Sequence, residues 1–282
     1  SDLDANRVLI TGDFPYLTED GGTTWKQLYV NPKYENPINT TIPRPKSYLH
    51  TGLGVTTGHW LHWTAADTMF AASTDIGLQR TTDGGCTWTT DYTPFDGSSL
   101  IWTNWYAIAQ QPGTSRLYAA VASVNDFYEV ERLDDGWVNQ PTGQIWGSVL
   151  YSDDQGQSWL SLAGGVSGGP SGNFPGPVIQ VAIDPSQTNH IYACVAESKD
   201  ITTQQQKGGI YRSTNGGTNW SKLTNPPRTE GRPLTVAVLG TNQLVATFCG
   251  RTVDDGNGNQ IFTDSSGVFY SSNSGSSWSD VS

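Results

Sequence analysis

Ser213-Thr-Asn-Gly-Gly-Thr-Asn-Trp220 joins two short apolar runs, and its reading decides the fold. The Asn215 side chain can accept hydrogen bonds from backbone N–H groups just after it, and Gly217 supplies a positive φ at no steric cost. Together they predict a tight, self-satisfied hairpin turn. A solvent-facing turn would waste the large apolar ring of Trp220, so this residue is expected to start the next strand and pack sideways under its neighbour. The same box recurs as Thr18-Glu-Asp-Gly-Gly-Thr-Thr-Trp25, Thr81-Thr-Asp-Gly-Gly-Cys-Thr-Trp88, Ser152-Asp-Asp-Gln-Gly-Gln-Ser-Trp159 and Ser271-Ser-Asn-Ser-Gly-Ser-Ser-Trp278. Its tryptophans are spaced by 63, 71, 61 and 58 residues, and a near-fixed period of that size signals stacked supersecondary units. Turn formation and burial account for the chemistry of the box, which makes it structural rather than catalytic.

Upstream of each box lies a strand-like run: Arg7-Val-Leu-Ile10, Thr68-Met-Phe-Ala-Ala72, Arg116-Leu-Tyr-Ala-Ala-Val121, His190-Ile-Tyr-Ala-Cys-Val195 and Gln243-Leu-Val-Ala-Thr-Phe248. Before most of these comes a second apolar run, such as Val178-Ile-Gln-Val-Ala-Ile183, joined by a polar turn such as Asp184-Pro-Ser-Gln-Thr-Asn189. Each unit reads as four short strands, a to d, with the box as the c–d turn. No segment carries a sustained helical period, so the chain is expected to be all-β. Four-stranded units repeated at this length predict a β-propeller, in which each blade buries its faces against the next. The repeat units fall at about 1–30, 45–90, 101–162, 177–223 and 233–282, within a single propeller domain or a fragment of one. The first unit begins at Leu3-Asp-Ala-Asn-Arg7, which matches the a–b turn of later units, so its innermost strand a is missing. An unpaired edge would be exposed there. The expectation is a fragment of a larger propeller, or a partner chain that supplies the strand.

The 282 residues carry 15 Lys and Arg against 26 Asp and Glu, a net charge of −11 with no cationic cluster. That balance argues against nucleic acid or an anionic membrane as partner and favours a neutral or weakly charged ligand. No run of about twenty apolar residues is present to span a membrane. Cys86, Cys194 and Cys249 are an odd number without metal-ligand spacing and read as buried thiols, although a Cys194–Cys249 disulfide stays open. His59 and His62 lack a third ligand, so neither a metal nor any other cofactor is expected.

The boxes and their layout closely resemble the Asp-box, or BNR-repeat, propellers over nearly the whole chain. This resemblance implies the fold, and it favours secretion or the cell surface. It spans several functions, because such propellers include sialidases, xyloglucanases, sorting receptors and assembly factors. Sialidases use three converging arginines introduced by an Arg-Ile-Pro motif, and the nearest sequence here is the scrambled Ile42-Pro-Arg-Pro45. The segment Ser73-Thr-Asp-Ile-Gly-Leu-Gln-Arg80 resembles the Thr-Asp-Ile-Gly-Gly-x-Tyr-Arg repeats of xyloglucan-cleaving enzymes of glycoside hydrolase family 74. In that family such an aspartate is one of the two acids, which implies that role for Asp75. Leu78 and Gln79 replace the second Gly and the Tyr, and the family's partner acid stands on a second propeller. Asp13 occupies the related position one unit earlier and is the second acid to nominate.

In a propeller blade the a–b and c–d turns emerge on one face and the b–c and d–a connections on the other. The boxes hold the first face, so the long connections fall on the second, where function concentrates. Those connections are rich in carboxylates and aromatic rings, which suit the C–H faces and hydroxyls of sugars. Trp60, Trp63, Trp105, Asp126, Tyr128 and Trp137 are the candidate substrate-binding residues. Three readings remain open: a polysaccharide hydrolase, a non-catalytic carbohydrate- or protein-binding propeller, and a structural subunit of an extracellular assembly.

Overall fold

The computed structural model describes residues 6–10, 15–28, 57–85, 102–127, 146–162, 174–196 and 208–282, and every regular element among them is a β-strand. The chain divides into two compact units, Ser1–Tyr92 and Thr93–Ser282.

In the first unit, β1 (Val8–Ile10), β2 (Tyr16–Thr18) and β3 (Lys26–Gln27) form one antiparallel sheet in that order, and β4 (Gly58–Trp63), β5 (Met69–Ser73) and β6 (Leu78–Thr81) form another. Leu17, Leu28 and Met69 are buried together, with Leu9, Trp63 and Ala71 packed against them. The second unit holds three four-stranded meanders. These are β7 (Asn104–Gln110) to β10 (Leu160–Ser161) through β8 (Leu117–Ala122) and β9 (Gly147–Ser152), then β11 (Val178–Ile183) to β14 (Ser221–Lys222) through β12 (Ile191–Val195) and β13 (Gly209–Ser213). The third is β15 (Pro233–Gly240), β16 (Gln243–Phe248), β19 (Gly267–Ser271) and β20 (Ser279–Asp280), with a two-stranded hairpin of β17 (Thr252–Asp254) and β18 (Gln260–Phe262) inserted between β16 and β19.

Sheet register reproduces the sequence repeat. The first box residue stands opposite the first apolar residue of strand b in every sheet, as Val8 with Thr18, Met69 with Thr81, Leu117 with Ser152, Ile191 with Ser213 and Leu244 with Ser271. In the second unit β11 packs on β7 and β8, and β15 packs on β11 and β12. One buried cluster runs through all three meanders, from Tyr106 and Tyr118 by Tyr192 and Cys194 to Leu244 and Phe269. Phe174 joins two of them, pairing by backbone with Gly147 of β9 and meeting the rings of Tyr211 and Trp220 in the next meander edge-on at 5.3 Å. Each large side chain buried this way contributes roughly 1.5–3 kcal/mol.

The turns close on themselves through the hydroxyl that opens each box. N–H groups of Gly22, Gly85, Gly156, Gly217 and Gly275 donate to the hydroxyls of Thr18, Thr81, Ser152, Ser213 and Ser271 at 2.8–3.0 Å. Those hydroxyls donate onward to side-chain oxygens of Asp20, Asp83, Asp154, Asn215 and Asn273 at 2.7–2.9 Å. All five hydroxyl residues are only 1–2 % exposed, so each buried polar group is satisfied inside its own turn. Two successive residues adopt positive φ, not the second glycine alone: Gly216 at 70° and Gly217 at 93°, with Gln155 (61°) and Ser274 (56°) holding the first place in their boxes. Trp159 and Trp220 are buried as expected, and Trp278 Nε1 donates to the Thr224 carbonyl of the preceding sheet at 2.9 Å.

Hydrogen bonds also fix which connections share an end of a sheet. The N–H groups of Gly21, Gly84, Gly216 and Ser274 in the boxes donate to the a–b turn carbonyls of Asn6, Asp67, Asn189 and Asn242 at 3.0, 2.9, 3.0 and 2.8 Å. In the third repeat, Arg116 instead grips Asp153 with two bonds of 2.6 and 2.7 Å. At the other end, Thr74, Ala196 and Cys249 N–H groups just after strand b donate to the carbonyls of Thr57, Pro177 and Arg232 just before strand a. Boxes and a–b turns therefore lie together, opposite the b–c and d–a connections. Among the described residues, the first sheet has no strand beside β1 on the side away from β2.

Candidate functional site

Asp75 sits in the tight β5–β6 connection at the end opposite the box, solvent-exposed and with φ of 65°. A non-glycine residue in that left-handed region carries a conformational cost that the surroundings must offset. They do so with Ser73 N–H to Gly77 O at 3.0 Å, Ile76 N–H to Thr74 O at 2.7 Å and Thr74 N–H to Thr57 O at 3.1 Å. Beneath the turn Gln79 is fully buried. Its Oε1 accepts from Ser73 Oγ at 3.0 Å, and its Nε2 donates to the Ile76 and Gly77 carbonyls at 3.2 and 3.1 Å. The amide thus donates to two carbonyls of the turn, of which Gly77 O also accepts from Ser73 N–H.

Trp60 pairs with Ala72 near this end and is 39 % exposed, so its ring and the Asp75 carboxylate share one end of the sheet. Trp63 does not join them. It pairs with Met69 at the box end of β4 and packs against the Leu17–Leu28–Met69 cluster.

Trp105 lies at the b–c end of β7 but is 2 % exposed. Its indole meets Trp159 edge-on at 5.1 Å and donates to the Trp102 carbonyl at 2.8 Å. It belongs to the core because the box tryptophan of the same sheet closes over it, leaving no face for a sugar. Asp126 is half-buried at φ 46° in the connection after β8. Tyr106 braces this segment, its hydroxyl donating to Val124 O at 2.7 Å and accepting from Phe127 N–H at 3.2 Å. Ser123 and Trp146 pin the two stems of that long connection through two bonds of 2.9 and 3.0 Å, and Trp146 stands edge-on to Trp102 at 4.6 Å. Asp13, Tyr128 and Trp137 lie outside the described residues.

Two supporting groups escape a reading by repeat. Gln79 stands where the family-like motif carries Tyr, and its role shows only in the burial of its amide. Glu230 anchors the base of the β17–β18 hairpin, accepting from Arg251 Nε at 2.9 Å, Thr263 Oγ1 at 3.0 Å and Ser265 Oγ at 2.8 Å. Among the described residues no other repeat has an equivalent, so periodicity gives no signal for it.

Electrostatics at the box end differ in kind. The Thr24 hydroxyl and N–H groups hold the Asp20 carboxyl down at about 2, which suits a permanently ionised turn acceptor. Cys194 is fully buried, with its thiol pushed up by desolvation and directed at Gln180 Oε1, and Cys249 Sγ donates to the Arg232 carbonyl. Neither Cys194 nor Cys249 forms a disulfide, and Cys86 lies outside the described residues. Among the described residues no group of three or more His, Cys, Asp or Glu side chains is placed to hold a metal ion. Among the described residues no helix is long and apolar enough to cross a membrane.

No protein-family model matches the chain, and no curated protein matches its sequence. Solved structures do. An ancestral GH74 enzyme aligns with 99 % of this chain and 30 % of its own, at TM-score 0.61 and 21 % identity. A GH74 enzyme of Niastella koreensis covers 98 % of this chain and 36 % of its own, at TM-score 0.52 and 17 % identity. The GH74 xyloglucanase from Xanthomonas campestris covers 96 % and 36 %, at TM-score 0.53 and 13 % identity. This chain spans about a third of the length of each. At such identities the likeness concerns architecture: the fold is that of a β-propeller, with four-stranded antiparallel sheets as its blades.

Proposed function

We propose that this chain is an extracellular, polysaccharide-directed β-propeller of the Asp-box class, a glycoside hydrolase whose ligand meets the sheet ends opposite the box turns. Asp75 is one acid and Asp13 its partner, with Trp60 as the stacking face; Asp126, Tyr128 and Trp137 are further candidate glycan contacts. The observation that carries this reading is the β5–β6 turn itself. It holds an exposed carboxylate in a strained conformation over a buried, saturated Gln79 amide, at the same sheet end as a partly exposed tryptophan. Backbone strain kept by dedicated support is a mark of functional turns.

Glycoside cleavage takes two carboxyl groups, roughly 5 Å apart for retention or about 6.5–9.5 Å for inversion. Among the described residues of the first unit, Asp75 is the only carboxylate at this end, since Glu19, Asp20, Asp67 and Asp83 belong to the boxes and the a–b turn. That supports a second reading, in which the same surface binds a glycan or a protein without turning it over. Reducing-end release from a β-glucan panel separates the two. Hydrolysis requires release that disappears in both Asp75→Asn and Asp13→Asn, whereas binding requires glycan retention with no release from the unmodified chain.

A further inference from the structure

Four tryptophans stand in file through the β7–β10 sheet. Trp159 of the box meets Trp105 edge-on at 5.1 Å, Trp105 donates its indole N–H to the Trp102 carbonyl at 2.8 Å, and Trp102 meets Trp146 edge-on at 4.6 Å. The first three are 3, 2 and 6 % exposed and belong to the core. Trp146 is only half-buried and lies at the sheet end opposite the box, one residue before β9, so the file opens to solvent there. An indole held edge-on by a buried neighbour keeps a fixed attitude, and a fixed, partly open ring suits the C–H face of a sugar.

The backbone across from Trp146 is held as firmly. Ser123 N–H donates to the Trp146 carbonyl at 2.9 Å, and Trp146 N–H donates back to Ser123 Oγ at 3.0 Å. Three residues on, Asp126 is half-buried with φ of 46°. Among the described residues six non-glycine positions have positive φ. Gln155, Asn242 and Ser274 lie in boxes or an a–b turn, whereas Asp75, Asp126 and Arg228 lie at the other end. Arg228 is accounted for by its bonds to Asp280, Ser282 and the carbonyls of Asp264 and Ser266. That leaves two aspartates, one in each unit, at places a glycine would hold without steric cost. In the second unit the support comes from Tyr106, 1 % exposed, whose hydroxyl bonds Val124 O and Phe127 N–H on either side of Asp126.

We propose that Trp146 and Asp126 form a glycan subsite of the second unit, in which Trp146 stacks on a sugar ring, Asp126 accepts from sugar hydroxyls and Tyr106 is the positioning residue. The ligand is a neutral glycan, since an indole and a carboxylate on the stems of one connection recognise C–H surface and hydroxyls, and the net charge of −11 disfavours an anionic one. This rests on the polysaccharide-directed reading above but stands on residues of the second unit alone.

Native gels cast with each soluble β-glucan of the panel read retention as slowed migration, and thermal melts of the same preparations read folding. Trp146→Ala should lose roughly tenfold in affinity, and Trp146→Phe should keep most of it because the smaller ring still stacks. Asp126→Gly removes the carboxylate and relieves the left-handed backbone, so it should weaken retention roughly tenfold with little change in melting temperature. It decides the matter should Trp146→Ala fail to fold. Tyr106→Phe should weaken retention on its own and add nothing to Asp126→Gly, because it acts through Asp126; a tyrosine that served packing alone would leave retention unchanged in both backgrounds. Retention that is unchanged in Trp146→Ala and Asp126→Gly but lost in Trp60→Ala overturns the subsite and leaves the Asp75 reading standing. Retention lost in the first two and kept in Trp60→Ala and Asp75→Asn upholds the subsite and removes Trp60 and Asp75 from glycan binding. An unmodified chain that no glucan slows overturns the subsite.

Discussion

Leu162 lies against Gly217 so closely that a Cβ on the glycine would overlap its Cδ1. The relation repeats: Leu28 meets Gly85, and Leu223 meets Gly275. In each case the leucine that follows an outer strand is the floor on which the next sheet's box rests. The glycine is needed twice over, for its φ of 93° at Gly217 and for the absence of a side chain at the point of contact.

Gly217→Ala is therefore expected to be costly. Overpacking contributes about 1–3 kcal/mol and the left-handed backbone roughly a further 1 kcal/mol. Urea unfolding should show a midpoint shift of that size, while Thr218→Ala, exposed beside it, should shift it little.

Ser213→Ala removes the hub of the same turn. It strands the buried Gly217 N–H, whose bond is 2.8 Å, and removes one of two donors to the Asn215 side-chain oxygen, which keeps the Asn219 N–H at 2.9 Å. The expected loss is about 1–3 kcal/mol. Ser213→Thr should retain most of the stability, since Thr18 and Thr81 hold that place in other boxes.

Arg116 and Asp153 form a two-bonded ion pair, yet their side chains are 35 and 57 % exposed. Solvent screening limits such a pair to under about 1 kcal/mol. A double-mutant cycle with Arg116→Gln and Asp153→Asn should give a coupling energy below that value, falling further with added salt.

His62 is mostly buried, and desolvation lowers its pKa below the ordinary 6.5. The folded chain disfavours the imidazolium, so the unfolded chain binds the proton first as pH falls. Stability should be full above about pH 6.5, decline as pH drops from there toward the lower folded value, and then level off. His62→Phe should flatten that decline in a pH series of thermal melts.

Gln79→Leu removes the side-chain donor to the Ile76 carbonyl under the Asp75 turn and leaves Gly77 O with the Ser73 N–H bond alone. Its expected signature is a stability loss of about 1–3 kcal/mol together with weaker glycan retention. A merely structural glutamine would change the first and leave the second intact. Measuring both on one preparation distinguishes the two.

What the sequence by itself determined is what closes within a few residues. Hydroxyl, Asp or Asn, and Gly at fixed offsets complete their hydrogen bonds inside eight positions, so the five boxes, the strand order around them and the end from which each connection leaves were legible. The second positive φ escaped notice because Gln155 and Ser274 adopt it without being glycine. Only the tertiary structure decided which tryptophans meet solvent. Trp60, Trp63 and Trp105 look alike in sequence, yet one is partly open, one turns to the box end and one lies under Trp159, because burial is a sum over neighbouring strands and sheets that no local pattern contains. The same reason separates Val8 from Leu244: the two hold one place in the repeat, yet Val8 is 41 % exposed and Leu244 is fully buried.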